Sequence, residues 1–421
     1  MTRPAHATAR VLARWFPVLR EPAARLYLTG QMVAVNGSWI QDITLNLLVW
    51  QLTGSPALLG AINFLLFGPV VVVAPLLGPR LGAHNARRVT LRILWSTLAL
   101  AITLTTLAAT DALSMPLITA LALMRGVLTG MEMPARHMLL TTSIRKKTRI
   151  ANALAANVVT FNLARMIGPA IAAALFATVG APLSFLLGAA TLVFMIFCVN
   201  ALPLPATSHN PADAGMRPGI RSAAAYVRAD RQASVFLPTV TLVGLFFGGY
   251  QTLVPALAEH VYGNAATWTG LLFGAAGAGS LCAGIVLMSS YMPIACRRWQ
   301  VGMPWVVVLA LLGLGLTTQP GTALACFYAL GFGFTFTAAG FNSKLQQNAP
   351  PELRGALVGL YSMCLMGAMP IGHLLAGALA QWLSARQSLL VQAVLLALGI
   401  CAVFMPRWIA LGRIEFDADR I

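Results

Sequence analysis

Residues 57–78 read ALLGAINFLLFGPVVVVAPLLG, a run without one charged side chain. A helix rises about 1.5 Å per residue, so roughly 20 apolar residues cross the ~30 Å of a bilayer's hydrocarbon. The run is long enough. Working outward, stretches of the same kind occupy 27–50, 90–110, 116–139, 152–178 and 181–203, then 235–258, 267–290, 301–318, 322–345, 355–380 and 387–409. Backbone N–H and C=O groups find no water inside lipid, so each run must close its own hydrogen bonds as a helix. The fold class that follows is an all-α membrane protein, twelve transmembrane helices in two pseudo-symmetric six-helix bundles.

Composition agrees. Hydrophobic residues make up 58% of the 421 and charged residues only 9%, too few charges to keep a water-facing surface dispersed. Six cysteines stand singly in apolar stretches, with no CxxC and no paired histidine, so neither a metal site nor a disulfide framework is indicated. The net charge of +17 raises nucleic acid as a partner, but the charges lie between the apolar runs. Arg3, Arg10, Arg14, Arg20 and Arg25, then Arg80, Arg87, Arg88 and Arg92, then Arg136 and Arg145 to Arg149 fall on one side of the membrane. The later Arg217, Arg221, Arg228, Arg231, Arg297, Arg298, Lys344, Arg354, Arg407, Arg413 and Arg420 fall there too, with Arg386 alone opposite. By the positive-inside rule that side is the cytoplasm, and both termini are in it. The surplus is an orientation signal, and nucleic acid drops out. Residues 1–25 lack the apolar core of a cleavable signal.

The polar stretch after the sixth run, rich in Pro, Gly, Ala and Arg, separates two halves. The expected organisation is a cytoplasmic tail 1–26, a six-helix half 27–203, a linker 204–234, a second half 235–409 and a tail 410–421. Each half ends on a basic inner loop followed by a long span interrupted by Gly and Pro: Gly168-Pro169 in the first, Pro370-Ile371-Gly372 in the second. Interruptions at corresponding places are what a transporter built of repeats carries.

Met133-Pro134-Ala135-Arg136, Asn152-Ala153 and Phe161-Asn162-Leu163-Ala164-Arg165-Met166-Ile167-Gly168-Pro169 form one signature, joined by Leu52-Thr53-Gly54-Ser55-Pro56, Pro351-Glu352-Leu353-Arg354-Gly355 and Tyr361-Ser362-Met363. The set resembles the branch of the major facilitator superfamily that holds the enterobactin exporter and macrolide efflux pumps. The resemblance implies the major facilitator fold and alternating access across the bacterial inner membrane, commonly export of a siderophore or drug driven by protons. One loop departs from the pattern. Between the second and third spans the superfamily places Gly, three residues, Asp and Arg; here Gly78 is followed by Gly82 and Ala83 at those two places. The acidic latch of the cytoplasmic gate is missing, while Arg87 and Arg88 remain to meet anionic headgroups. Arg136, Glu352 and Arg354 complete the candidate gate.

Only 11 acidic residues exist, and Asp42 and Glu132 are the two within spans. A charge at mid-membrane costs about 2.5–3.5 kcal/mol, so it must be paired or bathed by water. Asp42 and Arg125 are expected at similar depth, and Arg165 near the middle of the fifth span. If Asp42 compensates one arginine only, a positive surplus is left for an anionic substrate to meet through the fork-shaped donors of Arg125 or Arg165; the structural alternative is a fixed Asp42–Arg125 pair with Arg165 on backbone carbonyls. Asp42 is the first candidate for proton coupling, followed by Glu132 and His373. Glu132, seven residues after Arg125 on nearly the same helix face and close to the inner boundary, is expected first in a gate salt bridge with Arg136 or an arginine of the next loop, and a single helix histidine such as His373 commonly serves packing. Polar residues that should face the interior are Asn36, Gln41, Asn157, Asn162, Tyr250, Gln251, Asn342 and Tyr361. Glycines at 274, 277, 279 and 284 and at 331, 333 and 340 serve close helix contact; no strand precedes them, so a phosphate loop is excluded.

The function expected is secondary active transport of a small, anionic, amphipathic, siderophore-like molecule, coupled to protons and directed outward, by a monomer in the lipid bilayer without cofactor or metal. A multidrug or macrolide-type pump and a siderophore or metabolite importer of the same fold are the alternatives. A membrane enzyme would need a clustered nucleophile, metal ligands or paired carboxylates inside the spans, and the sequence offers none; a receptor or assembly factor has only the missing latch in its favour.

Overall fold

The computed structural model describes residues 17–77, 81–82, 84–144, 146–203, 220–288 and 297–418. Among the positions named above, Arg3, Arg10, Arg14, Gly78 to Arg80, Ala83, Arg145, Arg217 and Arg420 lie outside the described residues, as do the side chains of Lys147, Arg297, Arg298, Arg407 and Arg413.

Within that range the chain is helical and no strand occurs. The elements are α1 Pro22–Thr53, α2 Pro56–Leu77, α3 Ala86–Ala109, α4 Met115–Ser143, α5 Ile150–Asn200, α6 Ile220–Ala229, α7 Ala233–Tyr262, α8 Ala265–Met288, α9 Arg297–Leu316, α10 Pro320–Asn348, α11 Arg354–Trp382 and α12 Ala385–Ala418. α5 is two spans in one. Gly180, at φ 75° and ψ −179°, breaks it in a conformation that a Cβ forbids, so its two arms carry the fifth and sixth crossings. With α6 a ten-residue helix of the polar interruption, twelve crossings remain among the described residues.

Eight helices carry an apolar window fit to cross a bilayer, and α1 and α4 are not among them. These two hold Asp42, Arg125, Glu132 and Arg136. Their polarity is tolerable because they turn it toward each other.

The chain divides into two compact units. The first comprises residues 1–52, 65–211 and 266–274. α1 runs through its middle. Tyr27 and Asp42 of α1 meet Arg136 and Arg125 of α4, so α1 and α4 are antiparallel. The backbone N–H of Val18 donates to Asn152 Oδ1 at 3.0 Å, Glu21 pairs with Arg149 at 3.0 Å, and further along Trp39 packs on Gly168. α1 and the first arm of α5 are therefore parallel. On another side Gly37 and Gln41 of α1 lie against Thr191 and Gly188 of the second arm.

The second unit comprises residues 53–64, 212–265 and 275–421. Here α7 and α11 pack backbone to backbone, a Cβ on Gly244 meeting the Leu365 carbonyl at 2.8 Å and one on Gly248 meeting the Met369 Cα at the same distance. Ser280 of α8 donates to the Gly331 carbonyl of α10 at 3.1 Å, an approach that the small residues there permit. An aromatic stack, Phe236 on Phe341 at 4.4 Å and Phe247 on Phe334 at 3.6 Å, joins α7 to α10. α6 docks on the same unit, the Tyr226 hydroxyl donating to the Asn348 carbonyl at 3.2 Å.

Candidate functional site

The charges of α1 and α4 form one buried chain. Asp42 Oδ1 lies 4.0 Å from Arg125 Nε, and Glu132 Oε2 lies 3.8 Å from Arg125 Nη1. Glu132 Oε1 also closes on Nη2 of Arg136, one turn further along α4. Arg136 Nη1 donates to Gln31 Oε1 at 3.0 Å, and the Arg136 carbonyl accepts from the Tyr27 hydroxyl at 3.0 Å. The spacing of 125, 132 and 136 puts all three on one face of α4, opposite α1. Arg125, Glu132 and Arg136 are buried, and Asp42 is the most open member with a quarter of its side chain exposed.

This geometry revises the expected charge balance. Arg125 lies beside two carboxylates, not one, so the four charges of this chain, Asp42, Arg125, Glu132 and Arg136, sum to zero. Arg165, the other arginine of the spans, is half-buried on the first arm of α5. Since α1 and this arm run parallel and touch at Trp39 and Gly168, Asn36 and Arg165, each three residues earlier, lie at one level. Asn36 gives its amide to the Met32 carbonyl at 2.8 Å, which leaves its buried Oδ1 without a hydrogen-bond partner among the described residues. Asn157 Oδ1, two turns before Arg165, is in the same condition. Trp39, absent from the sequence-derived candidates, belongs to this group and lies 6.5 Å from the Phe273 ring. Its signal was available: an aromatic residue three positions after Asn36 on the same helix face.

Other candidates are placed in helix packing. Gln41 is buried with its stem over Gly188. Tyr250 sits edge-on between Phe247 and Phe327, at 4.9 and 5.5 Å, and the Tyr361 hydroxyl donates to the Ala338 carbonyl at 2.7 Å. Asn342 accepts from Gln346 of its own helix at 3.1 Å, while Gln251 and Asn162 are half-buried. His373 is buried, its Nδ1 2.8 Å from the Thr252 hydroxyl, which ties α11 to α7. Of the candidate gate, Arg87 donates to the Asn200 carbonyl at the end of α5, Arg354 donates to the Ala349 carbonyl at 3.2 Å, and Arg88 and Glu352 are exposed. The latch position itself holds a turn: the Gly82 N–H donates to Asn85 Oδ1 at 2.9 Å. Among the described residues no cluster of His, Cys, Asp and Glu could hold a metal ion.

Twelve crossings with a buried charge chain between two of them define a multi-pass membrane transporter of the major facilitator fold. Residues 13–416 match the family described as transmembrane secretion effector, and the chain belongs to it. It is 24% identical over 355 residues to the staphyloferrin A transporter of Staphylococcus aureus, covering 83% of this chain and 88% of that one. It is also 27% identical over 258 residues to the multidrug efflux pump Tap of Mycolicibacterium fortuitum, covering 59% and 61%. Solved structures share the fold. A bacterial homologue of the human lysosomal transporter Spinster superposes with a TM-score of 0.69 at 14% identity over 92% of this chain and 97% of the other. The nucleoside transporter NupG gives 0.68 at 13% over 91% and 99%. The family and these relatives are transporters, and the chain is not an enzyme.

Proposed function

We propose that this protein exports a small amphipathic anion of the siderophore class across the cytoplasmic membrane, with proton uptake at Asp42 as the coupled step. The observation that carries the reading is the buried chain of charge on α1 and α4, whose one partly open member is a carboxylate facing an arginine. A carboxylate in that position changes the charge of the whole chain by one unit when it takes a proton, and alternating access supplies the change of environment that drives uptake and release. Arg165, with Asn36, Asn157 and Trp39, is the better seat for the anion. Binding at Arg125 would set the ligand against two carboxylates. The family's description as a secretion effector and the likeness to a staphyloferrin A transporter support the outward direction and the substrate class. The basic inner segments support both termini in the cytoplasm, and the divisions 1–26, 27–203, 204–234, 235–409 and 410–421 remain the working organisation of a monomer.

The likeness to Tap favours a second reading, efflux of uncharged or cationic drugs. Transport into inverted vesicles separates the two. Accumulation of an anionic tricarboxylate siderophore that collapses with the pH gradient, and in Asp42→Asn, is the expected result. Gradient-independent accumulation would overturn proton coupling. Gradient-driven accumulation of drugs with no uptake of the siderophore would overturn the substrate class.

A further inference from the structure

The charge chain extends well past the pair that takes the proton, and that extension has a purpose of its own. Arg125 is held almost midway between two carboxylates, 4.0 Å from Asp42 and 3.8 Å from Glu132, neither within hydrogen-bond reach. Glu132 is committed to Arg136 as well; the Arg136 guanidinium donates to Gln31 near the amino-terminal end of α1, and the Arg136 backbone carbonyl accepts from the Tyr27 hydroxyl there. We propose that Glu132 is a positioning residue which shares one carboxylate between two arginines, so that neutralising Asp42 draws Arg125 onto Glu132 and loosens the hold of Arg136 on α1.

The argument is electrostatic. With Asp42 ionised, charges alternate along the chain and cancel; with Asp42 protonated, two guanidinium groups compete for one carboxylate. Opposite charges about 4 Å apart attract strongly in a partly buried setting, and like charges repel by the same law, so the shared arrangement loses its balance. The groups facing the chain do not restore it. Tyr27 comes from α1, and α2 packs on Gly126 and Gly130 of α4 through Leu65, Pro69 and Val73, which carry no charge. α5 brings Arg165, a further cation that cannot replace a lost carboxylate, and Arg149, already paired with Glu21. The step moves one proton from water to a carboxylate and breaks no covalent bond. Its result appears at Gln31 and Tyr27, toward the amino-terminal end of α1, on the cytoplasmic side in the orientation proposed above. The inference rests on the proton-coupling reading for its trigger alone.

The test reads distance rather than transport. Spin labels at Arg25→Cys and Thr141→Cys, in the full chain with its native cysteines changed to serine and reconstituted in lipid nanodiscs, report the separation of α1 from the end of α4. Acidification, and Asp42→Asn at neutral pH, should shift that separation to longer distance. In Glu132→Gln the separation should already be long and should respond neither to pH nor to Asp42→Asn. Gln31→Leu combined with Tyr27→Phe, which removes no charge, should abolish the response in the same way and covers the case in which Glu132→Gln does not fold. A response to Asp42→Asn that persists in either background, or no response in the parent, overturns the relay. Gradient-independent transport would instead sink the coupling reading, and the distance measurement does not depend on it.

Discussion

Removing the guanidinium of Arg125 tests the charge chain most directly. Arg125→Gln leaves Asp42 without its arginine while Glu132 keeps Arg136. At an effective dielectric of about 20, an opposite charge 4 Å away contributes about 4 kcal/mol of attraction. Loss of one partner of a buried pair costs about 3–5 kcal/mol, because the remaining charge stays desolvated. The pair here is long, and Asp42 is a quarter exposed, so the low end, about 3 kcal/mol, is expected. The sharper statement concerns rescue. Asp42→Asn added to Arg125→Gln leaves only the neutral Glu132–Arg136 pair and should recover most of the loss, whereas Glu132→Gln added to Arg125→Gln strands Asp42 and Arg136 and should recover none. Thermal unfolding followed by a thiol-reactive dye in detergent, with the parent and the three variants in parallel, gives the comparison. Equal stability of the two double variants would refute the assignment of partners.

Gly180→Ala should cost about 1–3 kcal/mol in the same assay although the site has room, because the strain lies in the backbone at φ 75°. Gly168→Leu should abolish the monodisperse species in size-exclusion chromatography, since even a Cβ would lie 2.7 Å from Trp39 Cβ, and Trp39→Ala in the same chain should restore it. Thr252→Val should destabilise by about 1–3 kcal/mol by removing the hydroxyl that meets the buried Nδ1 of His373, while His373→Gln should keep gradient dependence. Arg165→Gln should weaken binding of an anionic substrate more than of its neutral ester, and Arg165→Lys should recover part of the difference; equal losses for acid and ester would place the anion elsewhere.

The crossings were legible because lipid leaves a long apolar run few alternatives, and the break at Gly180 falls between the runs read as 152–178 and 181–203. α6 was not legible: it is short, and Arg221 and Arg228 hide it in a basic linker that composition reads as irregular. The shared face of Arg125 and Glu132 followed from helical spacing. That Glu132 reaches both arginines did not, because helical spacing puts the three residues on one face of α4 but leaves the rotamers of the long arginine side chains open. Tyr250 and Tyr361 misled for a different reason. A tyrosine in lipid reads as polar, yet a ring stacked among phenylalanines, or a hydroxyl given to a backbone carbonyl, satisfies it within the packing.

The missing acidic latch takes on a different meaning beside the α1–α4 chain. A basic loop with no carboxylate must place its arginines elsewhere, and Arg87 goes to the carbonyl end of α5, where the helix dipole favours a cation. That contact ties α3 to α5 within one unit, while the proton site proposed above is Asp42, in the middle of α1. Control by protonation therefore has to reach the inner ends of the helices from mid-membrane, and Glu132 and Arg136 occupy the intervening turns of α4 on the face turned to α1. A loop latch responds to what the cytoplasm presents; a chain that starts at Asp42 responds to what the transport path presents. Under the proposed coupling at Asp42, the gate is set by occupancy of the proton site, and Arg87 is left to tie α3 to α5.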